Sequence, residues 1–388
     1  MSVRINYLRT LLSGGGDSTF QFWVGGALLL LIAGIVGLIW GGYGGLLDQG
    51  TSMFRGGPMH TGAYEKGPHE SEEERWRHET GRQVRGSATV AGGTVYIGSF
   101  DDHLYALDAE TGDEKWKYET DGDVFSTPAV TGGTVYVGSA DHRIYALDAR
   151  TGEREWLFET QGEVSSSPTV SEETVYVGSS DNNLYALEPG TGEVQWRVGL
   201  GGTVVSSPAV TGGTVYVGSF DTHVYALNAR TGTEKWRFKT DNQVFSSPAV
   251  LGDTVYVGSL DASVYALDAE TGEKQWRFET GAGVVTSPSV SESVVYVGSS
   301  DGYIYALNRR TGTQKWRFEA GRFVFSSPSI ANEMVYVGSP DTHLYALDAE
   351  TGEAQWRFKT KSGVASSPAV HGGIVYFGSL DGRVYALE

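Results

Sequence analysis

The stretch YVGSSDNNLYALEPGTGEVQW, residues 176–196, decides the fold. Its apolar residues are β-branched, aromatic or Leu, and they come in short runs broken by a GlySerxAsp turn and a ThrGly turn before a Trp. The pattern predicts short strands joined by tight turns. The same frame recurs every 40 residues. Trp76, Trp116, Trp156, Trp196, Trp236, Trp276, Trp316 and Trp356 keep that spacing throughout, and so do Asp101, Asp141, Asp181, Asp221, Asp261, Asp301, Asp341 and Asp381. A period of this length with four short strands per copy is the signature of propeller blades. In the copy that starts at Trp116, the strands are expected over 116–120, 124–130, 134–139 and 143–148, with GlyGly at 132–133 and ThrGly at 151–152 as turns. A helical solenoid is excluded, because no stretch after residue 41 repeats its apolar positions with a 3.6-residue period. A β-solenoid is excluded as well, since its coils are usually shorter.

The last copy ends at ValTyrAlaLeuGlu (384–388), while the strand around Trp76 has no preceding blade. Residues 76–80 are therefore expected to pair as the outer strand of the last blade, whose inner three strands come from 364–388. Closure of this kind removes exposed sheet edges. The expectation is an all-β, eight-bladed propeller of four-stranded antiparallel blades spanning 76–388.

Composition narrows the function classes. The chain has 47 acidic and 29 basic side chains, a formal charge of −18. It lacks the basic excess that phosphate-backbone binding uses, so nucleic acid is not an expected partner. Cys is absent from the sequence, which excludes disulfides, thiolate metal sites and cysteine nucleophiles. Residues 22–40, FWVGGALLLLIAGIVGLIW, carry no charge, and as a helix they would span ~28 Å, close to a bilayer core. Trp23 and Trp40 stand at its two ends. The alternative of a cleaved signal peptide fits less well, because the run is long and GlyLeuIleTrp is a poor cleavage site. Arg4 and Arg9 precede the run, and Arg55 is the one Lys or Arg among residues 41–60. The expected layout is a short cytoplasmic segment (1–21), a transmembrane helix (22–40), a linker or lead-in (41–75) and an extracytoplasmic propeller at the cell membrane.

The ThrGlyxxxTrp core occurs in seven copies, with Pro189 in place of Ala in the copy at 186–196. This repeat resembles the tryptophan-docking repeat of pyrroloquinoline quinone propellers. The lead-in MFRGGPMHTG at 53–62 is similar to the segment that often precedes such domains, so the resemblance covers 53–388. It implies one of two branches. Quinoprotein dehydrogenases hold the quinone and a calcium ion over the propeller axis. A non-catalytic branch, typified by BamB, serves outer-membrane protein assembly. The adjacent Cys pair and long insertions found in many dehydrogenases are missing here, and no residue matches their calcium ligands or catalytic Asp. The resemblance thus implies a non-enzymatic scaffold for a protein or peptide, with no catalytic, cofactor or metal residues. A redox module binding pyrroloquinoline quinone and calcium is the alternative.

Eight equivalent residues cannot supply the unlike groups that a catalytic site brings together. The Trp are read as inter-blade packing over the ThrGly turns. The Asp are read as acceptors of backbone N–H groups in the turn between second and third strands; one Asp per turn is a poor calcium set. Gly298, Ser300 and Gly302 match the hydrolase GlyxSerxGly pattern, but the elbow needs a strand and a helix around it. His60, His69, His78 and His371 lack metal-ligand spacing.

The copies differ on the face opposite the ThrGly turns. Arg322 and His343 fall on blade seven, Lys361 and Arg383 on blade eight, and Arg82, Arg85 and His103 on or beside blade one. Blade one also has Gly86, Ser87 and Ala88, breaking the SerSerPro pattern that five of the other blades carry. Corresponding turns elsewhere carry Asp121, Asp123, Glu163 and Asp241. The expectation is a cationic sector on an acidic ring, suited to an acidic peptide or another anion; drift among solvated loop residues is the competing explanation. Phe100, Phe125, Phe220, Phe245, Tyr303, Phe323 and Phe325 lie on the same face, and those exposed near the axis would form an apolar docking surface.

Overall fold

A computed structural model describes residues 52–64, 67–68 and 73–388. Residues 22–40 lie outside that set, and among the described residues no helix is long and apolar enough to cross a membrane. The described chain forms eight sheets, one per blade, each with four antiparallel strands; the sheet of blade seven takes a fifth, parallel strand at its inner edge. Blade one runs from the axis outward as Thr89–Ala91, Thr94–Gly98, His103–Asp108 and Glu114–Glu119. Blades two to seven repeat this order, with inner strands at Ala129–Thr131, Thr169–Ser171, Ala209–Thr211, Ala249–Leu251, Ser289–Val290 and Ser329–Ala331.

Blade eight closes the ring. Ala369–His371, Ile374–Ser379 and Arg383–Leu387 take Glu74–Glu79 as their outer strand. In that pairing Trp76 faces Ala386 and Glu79 faces Arg383. The expected closure is therefore present.

The innermost strand is shorter than expected: Ala129–Thr131 rather than 124–130. Side chains replace the missing ladder. The Ser126 hydroxyl accepts from Gly138 N–H at 2.8 Å and donates to Gly138 C=O at 2.9 Å, standing in for a strand residue. Pro128 follows and has no N–H to offer.

The GlySerxAsp turn is a clasp between blades. Gly138 is tight because a Cβ there would sit 2.4 Å from Val164 Cγ1 of the next blade. The Ser139 hydroxyl donates to Gly122 C=O at 3.0 Å and accepts from Asp141 N–H at 3.2 Å. Asp141 Oδ1 accepts from Arg143 N–H at 2.9 Å, as in an Asx turn. Its Oδ2 accepts the Tyr145 hydroxyl at 2.5 Å and the Asp121 N–H at 3.1 Å. Asp121 belongs to the loop that leads in from the preceding blade, so Asp141 fixes a turn and the inter-blade crossing together, as Asp181, Asp221 and Asp301 do in their blades. Gly298, Ser300 and Gly302 belong to this same kind of strand–strand turn.

The core lies between blades. One cluster joins Tyr216, Val224 and Trp236 of blade four to Val250, Val255, Val257 and Tyr265 of blade five. Each docking Trp covers the ThrGly turn of the following blade. At Gly272, with φ of +74°, a Cβ would lie 2.7 Å from the Trp236 ring, so both conformation and space require glycine. The indole N–H of Trp236 donates to Ala269 C=O at 3.0 Å, and the same bond, to the carbonyl 33 residues on, recurs from Trp76 to Trp316.

Trp356 departs from this. It is half-buried, and among the described residues its buried Nε1 has no acceptor. At this junction the turn of blade eight is assembled from Glu388 and the segment entering at Glu73, whose carbonyl accepts the Glu388 N–H at 3.0 Å.

Candidate functional site

Two features shape the propeller axis. The first is a belt of hydroxyls at the position after the Ser126-type residue. Thr127 N–H donates to Ser167 Oγ, Ser167 N–H to Ser207 Oγ, and so on through Ser247, Ser287, Ser327 and Ser367, whose N–H reaches Ser87 Oγ at 3.0 Å. These bonds link adjacent blades around the axis. Ser87 keeps blade one in the belt although Gly86 has no hydroxyl to copy Ser126.

The second feature was missed in the sequence. Residues 52–64 form a plug across the axial opening on the ThrGly-turn side. Ser52 exchanges backbone bonds with Val130, and the carbonyls of Pro58, Met59, Thr61 and Gly62 accept from Val210, Val250, Val290 and Ile330. Ala63–Tyr64 then pairs in parallel with blade seven. Five blades thus hold the backbone of one segment. The Tyr336 hydroxyl donates to Pro68 C=O, a role that Ala149, Ala229, Ala269 and Ala349 fill for other blades.

Arg55 and His60 anchor the plug, and both are buried. Arg55 donates Nε to His60 C=O at 3.2 Å, Nη1 to Ser287 C=O at 2.8 Å, and Nη2 to Ser289 Oγ and Pro328 C=O. Burial pulls its pKa down to about 10, so it remains charged at neutral pH. The guanidinium is solvated by these oxygen dipoles, with the Phe54 ring centre 5.9 Å from its carbon. His60 shares a 3.0 Å hydrogen bond with Thr169 Oγ1. Burial, then the Arg55 charge, depress its pKa to about 3, while the Pro248 carbonyl opposes them.

His60 is therefore neutral in the docked plug and has a pKa near 6.5 when released. Below pH 6.5 the released form takes up a proton that the docked form refuses until about pH 3. Docking should weaken as pH falls through that window, by up to about 5 kcal/mol over its full width. His60→Gln is expected to flatten the acid limb of a stability–pH profile by about one proton; an unchanged slope would refute the assignment.

The loops between blades form the opposite face. The position that opens each inner segment holds Arg85, Phe125, Ser165, Val205, Phe245, Val285, Phe325 and Ala365. Phe245, Phe323 and Phe325 are 45%, 55% and 56% exposed. The rings of Phe323 and Phe325 lie 6.3 Å apart. Phe100 is buried against Phe125 at 4.4 Å, Phe220 is half-buried 6.0 Å from Phe245, and Tyr303 is covered by Arg317.

The seven predicted sector residues fall on consecutive blades of this face but are not equally available. Arg383 is paired to Glu79 at 2.5 Å, which raises its pKa. His103 and His343 fold back onto the backbone carbonyls of Asp101 and Asp341. Arg82 donates to Phe100 C=O at 2.8 Å and approaches Asp123 at 3.5 Å. Arg85 is exposed with its guanidinium 5.2 Å from the Phe100 ring centre. Arg322 and Lys361 are exposed, and no carboxylate among the described residues lies within ion-pair reach of either. The available cations are thus Arg85, Arg322 and Lys361.

Among the described residues no three His, Asp or Glu groups converge as a metal site, and Asp141, Asp181 and Asp221 are bonded within their own turns.

Eight four-stranded blades with Trp docked on ThrGly turns define a β-propeller of the pyrroloquinoline-quinone-like repeat type. The chain belongs to the β-propeller family described as "Beta-alanine-activating enzyme, beta-propeller", which matches residues 129–333, more than half of its length. The activity in that description is the named enzyme's. Among solved structures, BamB from Moraxella catarrhalis superposes with a TM-score of 0.72 at 20% identity, covering 81% of this chain and 99% of its own. The computationally designed Ika8 protein gives 0.73 at 18%, covering 82% and 99%. Quinohemoprotein alcohol dehydrogenase from Comamonas testosteroni gives 0.76 at 16%, covering 87% and 80%. At these identities the likeness is one of fold. No curated protein matches the chain.

Proposed function

We propose that this chain is a scaffold that captures a protein or peptide partner on the loop face over blades seven, eight and one, and that residues 22–40 tether it to a membrane with the propeller on the extracytoplasmic side. The observation that carries the reading is the exposure of Phe323 and Phe325 beside Arg322 in a propeller whose other aromatic side chains are largely packed away. Exposed aromatic anchors next to unpaired cations suit a partner that offers apolar side chains flanked by carboxylates. The tether rests on the uncharged run and its flanking Trp residues.

A photo-crosslinking residue placed at Phe323 should capture one protein reproducibly, while the same residue at Glu110, on the ThrGly face, should not. Phe323→Ser with Phe325→Ser should reduce capture of that protein about tenfold or more, measured by pull-down. Equal yields from both faces would sink the proposal.

A further inference from the structure

Phe245 is exposed on blade five, which stands opposite blade one in an eight-membered ring. A partner confined to blades seven, eight and one would leave it uncovered. Phe245 holds the position that opens an inner segment, and the eight such positions circle the axis. Three of them are Phe, each beside a second Phe: Phe125 with Phe100 at 4.4 Å, Phe245 with Phe220 at 6.0 Å and Phe325 with Phe323 at 6.3 Å. They fall on blades two, five and seven. Aromatic pairs therefore stand on three sides of the axial mouth, with Arg85 and shorter side chains between them.

Two residues further along each segment lies the hydroxyl belt. The Oγ of each of its seven serines, Ser87 to Ser367, accepts a backbone N–H from the neighbouring blade. None of the seven passes its own proton to an acceptor among the described residues. Ser126, which bonds within its own blade, is fully buried, whereas Ser167 is 5% exposed, so the belt borders the axis.

Arg55 reaches the same level from the plug, where its Nη1 donates to the Ser287 carbonyl at 2.8 Å. The hydrogen bonds of its guanidinium all run to neutral oxygens, four in number against five N–H groups. One N–H is left without an acceptor among the described residues. The axis between mouth and plug thus holds unmatched donors, and a charge that no carboxylate among the described residues pairs. It is also blind. Residues 52–64 close it on the ThrGly side, so a segment entering from the loop face must end inside.

We infer that this axial well binds the C-terminus of a polypeptide end-on, an inference that rests on the docking face proposed above and names what its partner inserts there. The last side chain, apolar, sits among the aromatic pairs, and the α-carboxylate accepts from the belt. A carboxylate offers lone pairs on two oxygens and no proton, which matches a lining of unmatched donors. A chain end brings one strand of backbone down the axis, where an internal acidic residue would bring two. A fatty acid shares the tip, but its alkyl chain needs continuous apolar cover, and Ser165 and Arg85 interrupt the collar.

The probe is an acetylated tetrapeptide that ends in two Leu residues with a free carboxylate. It is titrated calorimetrically into the full-length chain, with the same peptide as its C-terminal amide and with octanoate in parallel. Saturable binding of the acid is expected, with the amide weaker by about tenfold or more, on the order of hydrogen bonds to a charged group. Phe245→Ser should weaken the acid by about tenfold or more, and Phe245→Leu, which stays apolar, should keep most of the affinity. Equal binding of acid and amide, unchanged affinity in Phe245→Ser, or octanoate binding as tightly as the peptide would overturn the inference. If the acid fails to bind while crosslinking at Phe323 still captures its protein, the axial well falls and the docking face stands. Capture lost at Phe323 with the acid still bound would sink the docking face and support the well.

Discussion

Trp236→Ala is expected to lower the unfolding free energy by ~3–5 kcal/mol, measured by urea titration. The Trp236 side chain is buried between blades four and five, covers Gly272 and packs 5.8 Å from the Tyr216 ring. Its indole N–H and the Tyr216 hydroxyl both donate to Ala269 C=O at 3.0 Å. Truncation leaves a cavity that the turn cannot collapse into, because Gly272 must hold its positive φ. Trp356→Ala should cost clearly less, about 1–3 kcal/mol, since that ring is less covered and its N–H adds nothing within the described structure. Equal losses at the two positions would mean that the closing junction is packed like the others.

Arg55→Ala is expected to release the axial plug while the ring stays folded. The substitution strips donors from the carbonyls of His60, Ser287 and Pro328 inside the axis and removes the stem that fills it. A loss of ~3–5 kcal/mol in docking is the order expected for a buried charged group removed from its partners. Hydrogen exchange gives a direct reading. The amides of Val130, Val210, Val250, Val290 and Ile330 donate to the plug, so their protection should fall together. The indole N–H groups bonded to main-chain carbonyls elsewhere should stay protected. Arg55→Lys should rescue little, because one ammonium cannot reach acceptors that the guanidinium spans with three nitrogens. Protected valine amides in the Ala variant would show that the plug is held by its backbone bonds alone.

Blade number and ring closure were legible because each depends on a local pattern repeated at constant spacing, and a strand without a blade at one end matches a blade without a strand at the other. The repeated Trp and Asp were legible for the same reason, although the Asp also accepts an Asp121-type N–H from the loop arriving from the neighbouring blade. The plug was not legible. Residues 52–64 carry no periodicity, and their partners are backbone groups spread over five blades. Arg55 and His60 sit in no recognisable spacing; an Arg and a His within a Gly-rich stretch read equally well as solvated linker. The cationic sector was legible as composition but overstated as charge. Arg383 finds Glu79 across 304 residues of sequence, and His103 and His343 turn back on their own backbone.

The closing strand also makes folding a problem of timing. Glu74–Glu79 is made early, and its partner Arg383–Leu387 lies about three hundred residues later. At ribosomal speeds of roughly 5–20 residues per second, that is a delay of about 15–60 seconds. Through that interval a finished strand waits with its ladder edge unpaired, while seven nearly identical sheets are completed beside it. Each of those sheets receives its own outer strand within about half a dozen residues of chain, so a local competitor is always nearer than the waiting one. The nascent ring is thereby kept open until its last blade arrives, and a ribosome that stalls short of it leaves an adhesive end rather than a smaller propeller.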